Sequence, residues 1–168
     1  MPGAPSEADL EAAATRLGEA VQARGWQVGC AESSTGGLLA ATIAGIPGSS
    51  RYFRGAAVTY ASDLKTSLLG VPAEMLGEYG AVSAEVAQAM AAGARRVLQA
   101  DLGLAVTGIA GPDGATSHKP VGLHFVAASF PGDEAMVERR VFDLDRNGNR
   151  RAAVLAALDL GLRAATVG

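Results

Sequence analysis

The sequence predicts an α/β fold in which a mixed sheet lies between layers of helices. Helical and strand patterns alternate in the first part of the chain, and two further strand patterns joined by a hairpin-like turn follow them. Two glycine-rich turns, at residues 31–37 and 108–114, each come directly after a strand pattern. Ligands of such sheets bind outside the strand ends, so we expect both turns to border one site.

Local patterns assign each element in turn. The predicted elements are a helix over 6–24, a strand over 26–30, a helix over 38–44, a strand over 52–60, one or two short helices within 61–80, a helix over 83–99, a strand over 102–107, two strands over 121–130 and 136–142, and a helix over 147–165. Ser6 and Asp9 resemble a capping box, and Ser83 is a good N-cap. Pro47 ends the second helix, and residues 102–107 are typical of a strand buried on both faces.

The spacing of apolar residues predicts which side of each helix is buried. In the helix over 83–99, the predicted core residues are Val86, Met90, Ala94 and Val97. In the segment 61–80, they are Leu64, Leu68, Leu69, Met75 and Leu76.

Length and composition indicate one domain, residues 1–168, with a sizeable core. With 14 basic and 17 acidic residues there is no basic field, so we expect no nucleic-acid partner. A single cysteine, Cys30, excludes an intramolecular disulfide framework. Residues 1–8 lack the pattern of a secretory signal and no apolar run is long enough for a membrane span, so we expect a cytoplasmic protein.

The turn at residues 31–37 reads Ala-Glu-Ser-Ser-Thr-Gly-Gly. It presents backbone N–H groups at the start of the following helix, where a phosphate or the oxyanion of an acyl-transfer intermediate is stabilised. Gly36 and Gly37 permit a close approach of the backbone to a ligand, and Ser33, Ser34 and Thr35 supply hydroxyls that attack, cap or bind. A plain helix N-cap explains the same residues equally well.

A serine nucleophile needs a base, because its hydroxyl is almost wholly protonated at neutral pH. Only Lys65 and Lys119 among the 14 basic residues are lysines. A desolvated lysine can lose its proton and arginine cannot, which favours Lys65, five residues beyond Tyr60 at a predicted strand end. An exposed surface charge is the competing explanation for Lys65.

Histidine and metal chemistry have weaker support in the sequence. His118 lies in a predicted loop where nothing fixes it, and His124 is expected to be a packed strand residue. One cysteine and two separated histidines give no metal-ligand spacing, and neither a P-loop nor a dinucleotide-binding motif occurs. We therefore expect no metal.

Five motifs, in this order, resemble the C-terminal domain family of the CinA competence/damage-inducible proteins, which also occurs alone as nicotinamide-nucleotide amidase. They lie at residues 31–37, 55–60, 80–83, 107–114 and 119–122, and cover nearly the whole chain. The resemblance implies a three-layer α/β/α sandwich with a mixed, mostly parallel sheet, and a homodimer. It also implies hydrolysis of the carboxamide of nicotinamide mononucleotide to nicotinate mononucleotide and ammonia, with no cofactor.

The resemblance assigns roles to individual residues. Ser33 matches the nucleophile and Lys65 its general base, while Tyr60, Thr107 and Arg146 match assisting positions. On physical grounds, the oxyanion and substrate-binding candidates are Thr35, the N–H groups around Gly36, and also Ser34, Gly37 and Gly108. The candidates for the substrate phosphate, which the sequence does not rank, are Arg51, Arg146 and Lys119.

The chain departs from the family pattern in three ways. Many relatives have cysteine at the position of Ser34, and Ala115 stands where a second glycine is usual. The separate N-terminal domain of longer relatives is absent, so we expect its activity to be absent too. Two other readings stay open: a nucleotide-binding or recruitment module, and a Ser-His hydrolase that depends on His118.

Overall fold

A computed structural model describes residues 3–132 and 134–167. The helices are α1 (Glu7–Ala23), α2 (Leu38–Ala44), α3 (Ser62–Leu69), α4 (Ala73–Tyr79), α5 (Ala84–Leu98) and α6 (Arg146–Thr166), with a 3-10 turn at Ser49–Arg51. The strands are β1 (Val28–Glu32), β2 (Phe53–Val58), β3 (Leu102–Gly108), β4 (Leu123–Phe130) and β5 (Glu134–Val141). Met1, Pro2, Gly168 and Asp133, which belongs to the predicted hairpin turn, lie outside the described residues.

The five strands form one sheet in the order β2-β1-β3-β4-β5. β1 pairs in parallel with β2 and β3, whereas β4 is antiparallel to both β3 and β5. β4 therefore runs against the other four strands, which confirms the predicted mixed, mostly parallel sheet. The carboxyl ends of β1, β2 and β3 lie at the same edge, which we call the carboxyl edge.

Helices cover both faces of the sheet, as the α/β/α prediction requires. Along β3, Leu104 and Val106 point into a core shared with α1, α2 and α6, and Ala105 points into a second core shared with α3, α4 and α5. This alternation is that of a central strand buried on both faces.

Small residues let α5 lie close to the second face of the sheet. A Cβ at Gly103 would overlap the carbonyl oxygen of Ala91, and a Cβ at Gly29 would contact the Leu98 side chain at 2.8 Å. Close packing of α5 places the loop before it, which includes Ala81 and Ser83, at the carboxyl edge.

Most predicted elements are confirmed, with shifts of about two residues at their ends. The capping box of Ser6 and Asp9 is present, and the Ser83 hydroxyl caps α5. The first strand, predicted over 26–30, extends through Glu32, so Ser33 directly follows the strand.

Two predicted core residues are instead exposed. Val97 is 50% exposed, because Leu98 rather than Val97 continues the inward stripe of α5. Leu68 is 48% exposed, because Lys65 and Leu69, four residues apart, occupy the inward side of α3.

Among helices in the described part of the chain, none is both long and apolar enough to cross a membrane.

Candidate active site

Ser33 is the first residue beyond β1 and lies at the carboxyl edge. Its backbone N–H donates to the Val106 carbonyl of β3 at 3.0 Å, and its own carbonyl accepts from the Gly36 N–H at 3.0 Å. The backbone of Ser33 is therefore fixed both to the sheet and to the turn that follows.

The Lys65 ammonium reaches this serine from α3. Nζ donates to the Ser33 hydroxyl at 3.1 Å and to the Thr59 carbonyl at 2.7 Å. The Lys65 residue is only 1% exposed, and no ion pair to it occurs among the described residues. Burial disfavours the charged amine and lowers the pKa of Lys65 from its ordinary 10.5.

This arrangement suits proton transfer between a hydroxyl and an amine. Both partners of the Lys65 Nζ are neutral oxygens, so no negative charge offsets the cost of burying its positive charge. Once Lys65 loses a proton, its lone pair lies within hydrogen-bond reach of the Ser33 hydroxyl proton, the geometry that a general base requires.

Glu32 occupies the start of α2, where an anionic ligand was expected. Its carboxylate is fully buried and accepts from the Thr35 hydroxyl at 2.7 Å, the Leu39 N–H at 2.8 Å and the Ala40 N–H at 3.0 Å. The chain's own carboxylate thus binds two of the free amides at the start of α2, whereas the N–H groups around Gly36, which were predicted to bind the oxyanion, are not bound by it. The Thr35 hydroxyl, expected at the substrate, is likewise used inside the fold.

Other donors in the turn are not used in this way. The Gly36 N–H donates to Ser33, whereas the N–H groups of Ser34, Thr35 and Gly37 have no acceptor among the residues described. The Ser34 hydroxyl is buried and has no hydrogen-bond partner there either. Gly36 and Gly37 have φ values of 59° and 102°, which favour glycine and permit the turn to reverse direction.

Arg150 of α6 holds the turn from its outer side. Its Nε donates to the Ser34 carbonyl at 3.2 Å and its Nη2 to the Thr35 carbonyl at 2.8 Å. Because these carbonyls are fixed, the orientations of the peptide groups around Ser34 and Thr35 are fixed as well.

Thr107 and Gly108 end β3 beside this turn. Thr107 is fully buried and its hydroxyl donates to the Ala81 carbonyl at 2.8 Å. A Cβ at Gly108 would overlap the ring of His124, its partner on β4. His124 is buried, as predicted; its Nδ1 lies 3.0 Å from the Gly122 carbonyl, and burial lowers its pKa.

Arg146, at the first turn of α6, bridges two loops at the carboxyl edge. Its guanidinium donates to the Gly111 carbonyl at 2.6 Å and to the Tyr60 hydroxyl at 3.1 Å. Tyr60, predicted as the last residue of the strand over 52–60, lies beyond the end of β2 and is 59% exposed.

Three other candidates make no hydrogen bond to Ser33 or Lys65 in the part of the chain that the structure describes. Arg51 precedes β2 at the edge of the sheet opposite the carboxyl edge, because Phe53 pairs with Val28 at the start of β1. Lys119 donates to the Tyr79 carbonyl at 2.7 Å, and His118 is exposed in the loop before β4. The structure does not bring Arg51 or His118 into contact with the serine–lysine pair.

Sequence reasoning missed three residues that build the site: Glu32, Thr59 and Arg150. A carboxylate at the end of an apolar strand is a signal that the sequence did offer, since such a side chain needs donors when buried. The contacts of Thr59 and Arg150 join segments 6 and 115 or more residues apart, and no local pattern marks them.

Among the described residues, no cluster of three or more His, Cys, Asp or Glu side chains has the arrangement of a metal site.

The fold and the site together define a class: an α/β protein in which a half-buried serine is hydrogen-bonded to a buried lysine at the carboxyl edge of a mixed sheet. The family model of the CinA C-terminal domain matches residues 10–165. The chain therefore belongs to the CinA C-terminal domain family.

Relatives and solved structures agree with this assignment. A CinA-like protein of Acidobacterium capsulatum is 50% identical over 140 residues, which are 83% of this chain and 34% of the relative. The nicotinamide-nucleotide amidohydrolase PncC of Pseudomonas putida is 48% identical over 146 residues, 87% of this chain and 91% of that protein. The crystal structure of the competence/damage inducible protein CihA from Agrobacterium tumefaciens matches with a TM-score of 0.91 and 39% identity, over 99% of this chain and 100% of that one.

The relatives differ in length. This chain spans about a third of the length of the CinA-like relatives that it matches, and nearly all of the PncC protein. Its similarity to the CinA-like relatives therefore concerns only part of each of those proteins.

Proposed function

We propose that this chain is a nicotinamide mononucleotide amidase, which hydrolyses the carboxamide of its substrate to nicotinate mononucleotide and ammonia. The observation that supports it most is the 3.1 Å contact between the Lys65 amine and the Ser33 hydroxyl, in a site from which Lys65 has almost no access to water. The similarity to the PncC protein over most of both chains supports the choice of substrate.

In the proposed mechanism, neutral Lys65 takes the Ser33 hydroxyl proton while the serine oxygen bonds to the carboxamide carbon. The negative charge that develops on the carboxamide oxygen needs hydrogen-bond donors. The N–H groups of Ser34, Thr35 and Gly37, for which the described residues offer no acceptor, are our candidates for this oxyanion hole, since Gly36 already donates to Ser33.

The carbon–nitrogen bond then breaks, and the Lys65 ammonium returns its proton to the leaving nitrogen, so that ammonia departs and an acyl-serine remains. Water attacks this ester and gives its proton to Lys65, and the second tetrahedral intermediate releases nicotinate mononucleotide and restores the serine. One amine thus acts as base and acid in each half-reaction, without a metal or an organic cofactor.

Arg146 is our candidate for the substrate phosphate among the three cations that the sequence left unranked. It lies at the carboxyl edge, and its contact to Tyr60 reaches across toward β2. Arg51 lies at the opposite edge, and the Lys119 ammonium already donates a hydrogen bond to a carbonyl at the end of α4.

Thr107 would support the site by fixing the loop at Ala81. The proposal includes a cytoplasmic location and a homodimer.

Ammonia release from nicotinamide mononucleotide, with nicotinate mononucleotide identified by mass spectrometry, tests the proposal. The wild type should turn over and Ser33→Ala should lose at least about 10³-fold in kcat, since it lacks the nucleophile. Ser34→Ala is the matched control, because the neighbouring hydroxyl does not contact Lys65; we expect a loss below about 10-fold. A wild type that binds the nucleotide but releases no ammonia would instead support the binding-module reading.

A further inference from the structure

We propose that Glu32 is a positioning residue, which holds the Ser33 hydroxyl against Lys65 by tying the turn after β1 to the first turn of α2. Its side chain does not touch the reacting atoms and acts through Ser33. The inference rests on the proposed function for the reaction in which it is measured, but the geometry that supports it does not depend on the substrate.

The hydrogen bonds of the Glu32 side chain link the turn that contains Ser33 to the first turn of α2. Its carboxylate binds Thr35, two residues after Ser33, and the N–H groups of Leu39 and Ala40 in α2. These three donors satisfy a carboxylate that is 0% exposed. The segment between residues 32 and 39 is therefore tied at both ends to one side chain, with Ser33 inside it.

The backbone of Glu32 also leads to the amine. Its carbonyl accepts from the Thr59 N–H at 2.8 Å, and the Thr59 carbonyl in turn accepts from the Lys65 amine at 2.7 Å. One residue is thus joined covalently to the serine and, through a single intermediary, to the lysine. A change in the Glu32 side chain therefore affects the contacts that hold the Ser33 turn. The backbone contacts that hold Lys65 through Thr59 do not use that side chain.

Arg150 makes the turn sensitive to this anchor. It fixes the carbonyls of Ser34 and Thr35 from α6, while Glu32 fixes the Thr35 hydroxyl and the start of α2 from the sheet side. With Glu32 altered, the turn keeps the Arg150 contacts and the Ser33 N–H bond to the Val106 carbonyl, but it loses its side-chain link to the start of α2. A shift of a few tenths of an ångström at Ser33 is then enough to lengthen the contact with Lys65, and misplacement of about 1 Å costs about 10²-fold in rate.

A plain structural cap of α2 is the competing explanation. It predicts that loss of the carboxylate lowers the free energy of unfolding. The kcat of the molecules that remain folded should then equal that of the wild type. The positioning role predicts that kcat falls in fully folded protein, with KM nearly unchanged, because substrate contacts remain.

Glu32→Gln is the decisive variant, because it keeps the volume and replaces one acceptor oxygen with an NH₂ group that cannot accept a bond. Asp101→Asn is its matched control. The Asp101 carboxylate also accepts a backbone N–H, from Gln27 at 2.7 Å, but it lies at the start of β3, at the opposite edge from Ser33. Thr35→Val, which removes one donor to Glu32 and keeps the carboxylate, replaces the first variant if that one does not fold.

Three measurements are made on each variant: kcat and KM for nicotinamide mononucleotide, the rate at which a fluorophosphonate labels Ser33, and the Ser33 Oγ to Lys65 Nζ distance in a crystal structure. For Glu32→Gln we expect kcat and labelling to fall about 10–100-fold, KM to stay within about threefold, and the distance to grow by about 0.5 Å or more. Asp101→Asn should match the wild type in all three.

The outcomes separate the two proposals. Wild type that is labelled at Ser33 but does not hydrolyse the nucleotide contradicts the proposed function alone, and the labelling rates and distances still test Glu32. Glu32→Gln, or Thr35→Val in its place, with wild-type kcat, labelling and distance overturns the positioning role, even if the thermal midpoint falls.

Discussion

The Lys65 amine lies 3.1 Å from the Ser33 hydroxyl, although 32 positions separate the two residues along the chain. β1 delivers the serine and α3 delivers the lysine, and both arrive at the carboxyl edge because β1 and β2 are parallel neighbours. The Thr59 carbonyl holds the amine at this point, and burial lowers its pKa. A half-buried hydroxyl thus meets a buried amine whose pKa is lowered.

The reaction should depend on pH through Lys65. Because burial lowers the pKa of Lys65 below 10.5 and the neutral amine is the proposed base, kcat/KM should rise as pH increases through that pKa and fall as pH decreases below it. The measurement is kcat/KM for nicotinamide mononucleotide between about pH 5 and 10.

Lysine-to-arginine variants give the control for this profile. Lys65→Arg keeps a positive charge but cannot act as a base, so we expect a loss of at least about 10²-fold that higher pH does not restore. Lys119→Arg, at the partly exposed lysine, should keep the wild-type midpoint. An unchanged profile in Lys65→Arg would show that another group is the base.

Loss of His118 should leave the reaction nearly intact. His118 is exposed in the loop before β4 and has no contact with the serine–lysine pair, so His118→Ala should retain kcat/KM within about twofold. Steady-state kinetics beside Ser33→Ala check this. If the two variants are equally damaged, the Ser-His reading replaces the serine–lysine one.

Removal of Arg146 should discriminate between substrates with and without a phosphate. If its guanidinium binds the phosphate, Arg146→Ala should lower kcat/KM for nicotinamide mononucleotide about 10–100-fold, since hydrogen bonds to charged groups are the strong ones. Nicotinamide riboside, which lacks the phosphate, should lose less than about threefold.

The same comparison includes Arg51→Ala, which lies at the opposite edge of the sheet and should have no effect on either substrate. Equal losses for both substrates in Arg146→Ala would instead point to a role for Arg146 in fixing Tyr60 and the loop at Gly111.

Two glycine-to-alanine substitutions should change stability in opposite directions. A Cβ at Gly103 overlaps the Ala91 carbonyl of α5, and backbone atoms move only at a cost, so Gly103→Ala should lower the free energy of unfolding by about 1–3 kcal/mol. Gly77, in α4, has nothing within 4 Å of its Cβ position, so Gly77→Ala should raise that free energy by about 0.5–1 kcal/mol.

Urea unfolding followed by circular dichroism measures both changes. Gly103→Ala with wild-type stability would mean that α5 can move away from the sheet without loss, contrary to the close packing described above.

Part of the site was predictable from local sequence. The residue types of the Ser-Ser-Thr-Gly-Gly turn predicted a site there, and the rarity of lysine in this chain favoured Lys65 as the base. The sequence did not show that Tyr60 is exposed, or that Arg51 lies at the edge of the sheet opposite Ser33. Both facts depend on how β2 pairs with β1. It also gave no sign that the Glu32 carboxylate binds the first N–H groups of α2.

The sequence by itself determined the order of helices and strands, the two glycine-rich turns and the identity of a serine that follows a strand. These features depend on residue periodicity and turn chemistry, which act within a few positions. Only the tertiary structure decided that Lys65 meets Ser33, that Arg150 holds the turn and that the Glu32 carboxylate is buried among donors. Those contacts join segments that come together only when the parallel strands pair and the helices pack on the sheet, so no local pattern specifies them.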